Sequence, residues 1–267
     1  MTFTDAQIAQ FQADGYLSVP DFWTDREVAA MQAETERLKQ DGLLHNVATE
    51  GDGTTESRSK INLQICPIYP QSEFFRAMPF APKVAEAVGQ LIGDPVRLRL
   101  DQIFLKPGRH GMGTNWHQDN AYFQIPDPLQ GVALWTAVHA ATTANGTMRV
   151  IPGSFRTQYK HSRDGDSNHH IRCYPPEAEA VMVELPAGGA LFFAYGVAHA
   201  TGANTTDADR AGVALHFLND GIARQSGDGF RPETMPLLSG PEASGGVKEY
   251  GTQVGGTWEV QVARLAG

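Results

Sequence analysis

The chain has 267 residues, 41% of them hydrophobic and 19% charged, with a formal net charge of −9 at pH 7. That length suits one large domain or two small ones, and all-β domains of this size often remain single. An acidic chain with scattered Lys and Arg argues against nucleic acid or an anionic membrane as partner, and no apolar run is long enough for a membrane span. The first residues lack a basic segment followed by an apolar one, so no secretory signal is read and a cytoplasmic location is expected. Cys66 and Cys173 lie far apart without zinc spacing and are expected to be buried thiols in a reducing compartment.

In chain order, Thr4 and Gln7 form a capping-box signature that opens a helix, with Ile8 and Phe11 on its buried face and Gly15 at its end. Residues 16–20 read as a short strand stopped by Pro20. A second helix is expected over 24–38, with Val28, Met31 and Leu38 inward and Glu27, Glu34 and Glu36 mostly solvated. Residues 45–58 read as loop, 60–65 as an alternating strand, and 72–78 and 81–92 as helices. After Pro95 the pattern changes to short strand-like runs at 96–105, 131–139, 147–151, 181–185, 190–193 and 210–217, separated by Gly, Pro and Asn turns. This is the signature of an all-β sandwich or barrel. The polar segment 157–180, with His161, His169 and His170, interrupts the series as a lid-like insertion whose histidines are expected in solvent. Beyond Asn219 a Gly- and Pro-rich extension leads to a last strand-like run at 257–262. Domain organisation is therefore read as one unit, 1–267: a mainly helical 1–95, a β core over 96–218, and an extension over 219–267.

The chemistry centres on His117-Gln118-Asp119. In an extended strand residues i and i+2 share a face, which sets an imidazole beside a carboxylate, the first two ligands of a 2-His-1-carboxylate metal site. With nine histidines and thirty acidic residues in the chain, such a pair is by itself weak. His199 is the best third candidate, because it follows the apolar run 191–195 and would sit at the end of a core strand. Arg210 heads another apolar strand, on which Arg210, Gly212, Ala214 and His216 share a face. An arginine directed into the core needs an anion, either an internal carboxylate or a bound dicarboxylate.

Together with the run Asn145-Gly146-Thr147-Met148-Arg149-Val150-Ile151-Pro152-Gly153-Ser154, these residues resemble the phytanoyl-CoA dioxygenase family, from the Asp14-Gly15-Tyr16 turn to about Leu218. The resemblance implies a mainly β fold with flanking helices and a double-stranded β-helix (jelly-roll) core. It implies an Fe(II)- and 2-oxoglutarate-dependent oxygenase, with 2-oxoglutarate and O2 as cosubstrates and succinate and CO2 as products. His117, Asp119 and His199 would be the iron ligands and Arg210 the anchor of the distal 2-oxoglutarate carboxylate. Thr201 would assist Arg210, Trp135 would line the cosubstrate pocket, and Gln102 and Lys60 would contact the cosubstrate. Without the resemblance, Trp135 reads as core, Lys60 as a solvated strand residue and Thr201 as a turn residue. Because Asp119 is a carboxylate, where related halogenases carry Ala or Gly, hydroxylation rather than halogenation is implied. Phe155 and Gly189 depart from the family pattern at positions that are not metal ligands.

Residues following the iron motif, Asn120, Tyr122, Phe123 and Gln124, are expected around the substrate with Trp116, Arg149 and His216, a mixture suited to a small or medium polar metabolite. Two readings of other classes stay open: a non-catalytic β-barrel that binds a metal and a dicarboxylate, and a cupin-like metalloenzyme that works without oxygen.

Overall fold

The computed structural model describes residues 2–226 and 231–266; residues 227–230 of the expected extension lie outside the described residues. Thr4 and Thr24 cap the first two helices, α1 (Asp5–Asp14) and α2 (Asp25–Gln40). In each, the threonine accepts from the third-position N–H while Gln7 or Glu27 returns a bond to the cap. Gly15 ends α1 with φ 79° and leads directly into β1 (Tyr16–Val19). Two short strands, β2 (His45–Asn46) and β3 (Leu63–Ile65), precede α3 (Glu73–Ala77) and α4 (Pro82–Ile92).

The remaining strands are β4 (Val96–Lys106), β5 (Thr114–His117), β6 (Gly131–Ala137), β7 (Met148–Val150), β8 (Ser162–Arg163), β9 (Ile171–Arg172), β10 (Val181–Val183), β11 (Ala190–Ala194), β12 (His199–Thr201) and β13 (Arg210–Asn219). They are accompanied by α5 (Asn120–Phe123), α6 (Asp220–Gln225), α7 (Val247–Tyr250) and α8 (Trp258–Leu265).

Seven strands form the major sheet in the order β1-β11-β6-β13-β4-β3-β2, and four form the minor sheet in the order β10-β7-β12-β5, all antiparallel. The fold is thus mainly antiparallel β with flanking helices, a jelly-roll arrangement without a closed barrel. The N-terminal segment does more than pack on the core, since it donates β1, β2 and β3 to the major sheet. Strands β6, β11 and β13 are buried along nearly their whole length, as expected for a sheet covered on both faces. Helix α4 packs against β4, β6 and β13, with Val84, Val88, Leu91 and Ile92 inward.

Two local expectations are corrected. Residues 257–262 are not a strand; Thr257 precedes α8 and the rest belong to it, with Trp258 and Val262, one helical turn apart, buried while Val260 is exposed. The Trp258 indole N–H donates to Glu27 at 2.7 Å, and its ring lies 4.9 Å from Phe74 and 5.4 Å from Trp23. Glu27 and Glu34 are buried rather than solvated: Glu27 meets Lys83 and Trp258, and Glu34 meets Arg37 and the Ser72 hydroxyl. Each buried carboxylate has the partners that its desolvation demands.

Candidate active site

A cavity of about 240 Å³ lies between the two sheets. Its major-sheet wall is built from alternate residues of neighbouring strands, Leu100, Gln102, Phe104 and Lys106 of β4 and Arg210, Ala214 and His216 of β13, with Trp135 of β6 beside them. Its minor-sheet wall carries Thr114, His117, Met148, His199 and Thr201.

His117 and His199 are direct cross-strand partners in the β5–β12 pair. Two positions along, Thr201 pairs with Thr114, so three steps on β5 match two on β12. That bulge in β5 turns both Thr114 and His117 to the cavity, and leaves Trp116 on the opposite face in a small separate cluster with Ile151 and Cys173. Asp119 follows the strand at the head of α5, with helical φ −59° and ψ −30°. It therefore faces His117 and His199 through a change of backbone direction rather than through simple strand alternation.

Each imidazole is oriented by its Nδ1, which lies 2.9 Å from a backbone carbonyl two residues earlier, Asn115 O for His117 and Val197 O for His199. With Nδ1 carrying the proton, Nε2 presents its lone pair inward. The two Nε2 atoms stand 3.8 and 3.7 Å from Asp119 Oδ1, and the three candidate donor atoms lie within 4.8 Å of one another. Burial, reinforced by His199, pushes the His117 imidazole down to about 3, so it is neutral as a ligand must be. Burial alone would raise Asp119, but His199, His216 and His117 outweigh it and hold the carboxylate below its usual range. Asp119 Oδ2 is buried and has no hydrogen-bond partner. Two imidazoles and a carboxylate with an orphaned oxygen, converging on one point, fit a divalent transition metal.

Arg210 is 1% exposed and, among the described residues, has no carboxylate within ion-pair distance. Its guanidinium donates to Gly146 O and lies 5.5 Å over the Trp135 ring. Burial pushes it down to about 10. Gly146 has φ 82°, and a Cβ there would meet Gly202 O at 2.2 Å, so the Asn145-Gly146 turn requires glycine to bring its carbonyl to the arginine.

The expected site residues separate clearly. His117, Asp119, His199, Arg210, Thr201, Trp135, Gln102, Tyr122, Phe123 and His216 all line the cavity. Lys60 does not; it is half-exposed and paired with Asp166 at 2.9 Å, because the strand begins only at Leu63. Asn120 turns away from the cavity and closes its own loop, donating to Ile125 O at 3.2 Å and accepting from Ile125 N at 3.0 Å. Gln124 is the exposed left-handed end of α5, φ 52°. Arg149 lies on the far face of the minor sheet, 4.9 Å over the Trp116 ring and 3.7 Å from Glu177.

Several lining residues had no sequence signal: Asn62, Gln64, Cys66, Lys106, His169 and His170. Gln64 Nε2 donates to Gln102 Oε1 at 2.7 Å, and Gln64 Oε1 and Asn62 Oδ1 are buried without donors. Cys66 is exposed at the cavity margin, and only Cys173 is buried. His169 and His170 belong to the 157–180 segment. His170 is buried, against expectation, and its ring is stacked parallel to His117 at 6.2 Å.

That segment is fastened to the stretch that carries His117 and Asp119. Gln118 donates to Thr157 O and Gly196 O at 2.8 and 2.6 Å and accepts from Tyr159 N at 3.0 Å. The Gln118 N–H donates to His161 Nε2, Asn115 donates to both oxygens of Asp164, and Tyr122 OH accepts from Ile171 N.

Residues 11–212 match the family model described as phytanoyl-CoA dioxygenase (PhyH). An ectoine dioxygenase of Bordetella parapertussis is 24% identical over 238 residues, covering 80% of this chain and 76% of its own. The crystal structure of the carbocyclase SnoK from nogalamycin biosynthesis superposes with TM-score 0.69 at 17% identity, covering 90% of this chain and 88% of its own. EctD from S. alaskensis, with 2-oxoglutarate and 5-hydroxyectoine, superposes with TM-score 0.66 at 22% identity, covering 82% and 77%. Among the described residues no helix is long and apolar enough to cross a membrane. The chain belongs to the phytanoyl-CoA dioxygenase family and is a non-haem iron, 2-oxoglutarate-dependent dioxygenase.

Proposed function

We propose that the protein hydroxylates a small polar metabolite, with Fe(II) held by His117, Asp119 and His199 and 2-oxoglutarate anchored through its distal carboxylate by Arg210. The observation that carries this reading is the sharing of one cavity by a converging His-Asp-His set and a buried arginine without a carboxylate partner. Iron bound with 2-oxoglutarate and O2 supplies oxygen transfer to a C–H bond, and 2-oxoglutarate leaves as succinate and CO2.

The chain's own residues supply orientation and dryness. The backbone carbonyls of Asn115 and Val197 fix the imidazole tautomers. Asp119 would hold the metal through a carboxylate where a halide would otherwise bind, which favours hydroxylation over halide transfer. Trp135, Met148 and Phe193 line the cavity with apolar surface, and Thr201 faces Lys106, the cross-strand partner of Arg210, from the opposite sheet. The Gln64–Gln102 pair and Asn62 present amides, with Asn62 Oδ1 and Gln64 Oε1 awaiting donors. Tyr122, Phe123, His169 and His170 complete the substrate side.

The cavity falls below the ~300–1,000 Å³ usual for ligand sites, and part of it must take the cosubstrate. A compact molecule bearing N–H or O–H donors therefore fits better than a long acyl chain. Relatives are named for both kinds, ectoine dioxygenase and phytanoyl-CoA dioxygenase, and the cavity favours the compact class.

Adding Fe(II) and 2-oxoglutarate under anaerobic conditions should give a weak visible charge-transfer band, and admitting air should then release succinate. No band in the wild type, or an undiminished band in His117→Ala, refutes the assignment. A band without succinate under any substrate would instead favour a binding protein, and turnover without O2 a cupin-like enzyme.

A further inference from the structure

Gln64 of β3 and Gln102 of β4 both line the cavity. Gln64 stands directly opposite Phe104, two residues from Gln102, so the two amides meet across the diagonal of the strand pair. Gln64 Nε2 donates to Gln102 Oε1 at 2.7 Å. A primary amide carries one carbonyl and one NH2 group, so this bond leaves over the carbonyl of Gln64 and the NH2 of Gln102. Gln64 Oε1 is buried without a donor, and among the described residues nothing accepts from Gln102 Nε2. Turning both amides over exchanges the two ends and leaves the same remainder, one C=O and one N–H.

The fixed charges on the cavity wall lie elsewhere. Among the described lining residues they belong to Lys106, Arg210 and Asp119. Lys106 and Arg210 are cross-strand partners, whereas Gln102 pairs with Ala214, four residues away on each strand, roughly 13 Å at 3.3 Å per residue. The direct sheet neighbours of the amides, Phe104 and Ala214, are apolar. Cys66, two residues after Gln64, is exposed at the cavity margin, so the amides stand beside an open side of the cavity. An ion brought to them would lose its hydration and gain no counter-charge. A neutral group with one N–H and one C=O loses nothing, because each meets its complement.

We propose that the Gln64–Gln102 pair is the substrate-recognition element, and that it selects an uncharged amide edge with N–H and C=O on the same side, as in a lactam or a cyclic ureide. Gln64 Oε1 receives the ligand N–H and Gln102 Nε2 donates to the ligand carbonyl. This rests on the reading of the cavity as a hydroxylase site, and it gives Gln102 to the substrate rather than to the cosubstrate that the family resemblance implies for it. Ring closure matters to the selection. A small ring holds its amide cis, whereas an open-chain secondary amide prefers trans by about 2.5 kcal/mol and points its N–H and C=O in opposite directions.

The test is calorimetric titration of matched small probes into protein loaded with Mn(II) and 2-oxoglutarate. 2-Pyrrolidinone and 5,6-dihydrouracil should bind at least tenfold more tightly than 4-aminobutyrate, the ring-opened ionic counterpart of the first. They should exceed N-methylpropanamide, a neutral open-chain amide of the same size, by a similar factor. In Gln64→Met and Gln102→Met the preference for the ring should vanish, since neither variant can bond both ends of the amide. Binding of 4-aminobutyrate as tight as that of 2-pyrrolidinone overturns the proposal. So does the absence of binding by both cyclic amides, or a ring preference that survives in both methionine variants. Should either variant fail to fold, the wild-type ranking decides alone. If the wild type takes up neither Mn(II) nor 2-oxoglutarate, the underlying functional reading fails; if it takes up both and the cyclic amides do not bind, only the substrate class is refuted.

Discussion

His216 Nε2 lies 3.2 Å from Asp119 Oδ2, while the two ligand imidazoles approach the other oxygen, Oδ1. The contact is close without the alignment of a good hydrogen bond, and Oδ2 is left orphaned. His216 sits on β13 six residues after Arg210, so one strand carries both the anion anchor and the group that flanks the metal-binding carboxylate.

Once Oδ1 takes a metal, His216 is the group positioned to hold Oδ2 and keep Asp119 from rotating. His216→Phe should weaken Mn(II) or Fe(II) binding by roughly 10–100-fold, the usual effect of losing a partner of a ligand. A metal titration followed by calorimetry checks this; unchanged affinity would mean that His216 only fills space beside Phe123.

Gln118, between two metal ligands, holds Thr157, Tyr159 and Gly196 with one amide. Gln118→Leu leaves buried backbone groups without partners, at about 1–3 kcal/mol each. Global stability should fall by several kcal/mol, and hydrogen exchange should accelerate first in residues 157–164. Uniform acceleration across the chain would contradict a local role.

Gly212 lies under the Trp135 indole, and a Cβ there would stand 2.7 Å from the ring. Gly212→Ala should displace the indole from its place 5.5 Å from the Arg210 guanidinium, with an overpacking cost of about 1–3 kcal/mol. Shifted tryptophan emission together with weaker 2-oxoglutarate binding is the expected pair of results. Emission and binding both unchanged would mean that the ring is not held by this contact.

Asp101 points away from the cavity, is 2% exposed, and accepts from Tyr69 N at 3.0 Å. Burial pushes its carboxyl up to about 6 from 3.8. The folded state therefore prefers the protonated form, so this group's stabilising contribution is complete below about pH 4 and is lost as pH rises through 6. That rise corresponds to about 3 kcal/mol at most. Asp101→Asn should be more stable than wild type at pH 8, with the difference vanishing near pH 4. Urea denaturation at both pH values measures it, and a variant less stable at pH 8 would show that the carboxylate's bonds outweigh its burial.

Most of the site was legible because it depends on local alternation. Arg210, Ala214 and His216 share a face of β13, and that parity survives folding. Lys60 and Lys106 show where it stops. Both are lysines beside apolar alternation, but Lys60 precedes a strand that begins three residues later, while the expected end of β4 stopped one residue short of Lys106. Only the cross-strand register places Lys106 against Arg210, and register is set by pairing that single-strand periodicity does not record.

Asp119 was found by strand alternation although it stands at a helix start, so the spacing pointed to the right residue through different geometry. The terminal helix α8 was misread because Trp258, Val260 and Val262 alternate as a strand would. Packing against α2 and α3 selected the helical period, which buries Trp258 and Val262 together. The burial of His170 depends on a long polar segment being tied down by Gln118, Asn115 and Tyr122, and no local pattern encodes those ties.

Strand β1 is the outermost member of the major sheet and covers β11, whose sequence Ala190-Leu191-Phe192-Phe193-Ala194 is apolar throughout. Four residues thus act as a selvedge on a fabric that would otherwise fray into its neighbours. Were they trimmed away, for instance in shortening the chain for crystallisation, β11 would offer its open amides and carbonyls to other molecules. Solubility of the whole enzyme therefore hangs on a short strand that never approaches the chemistry.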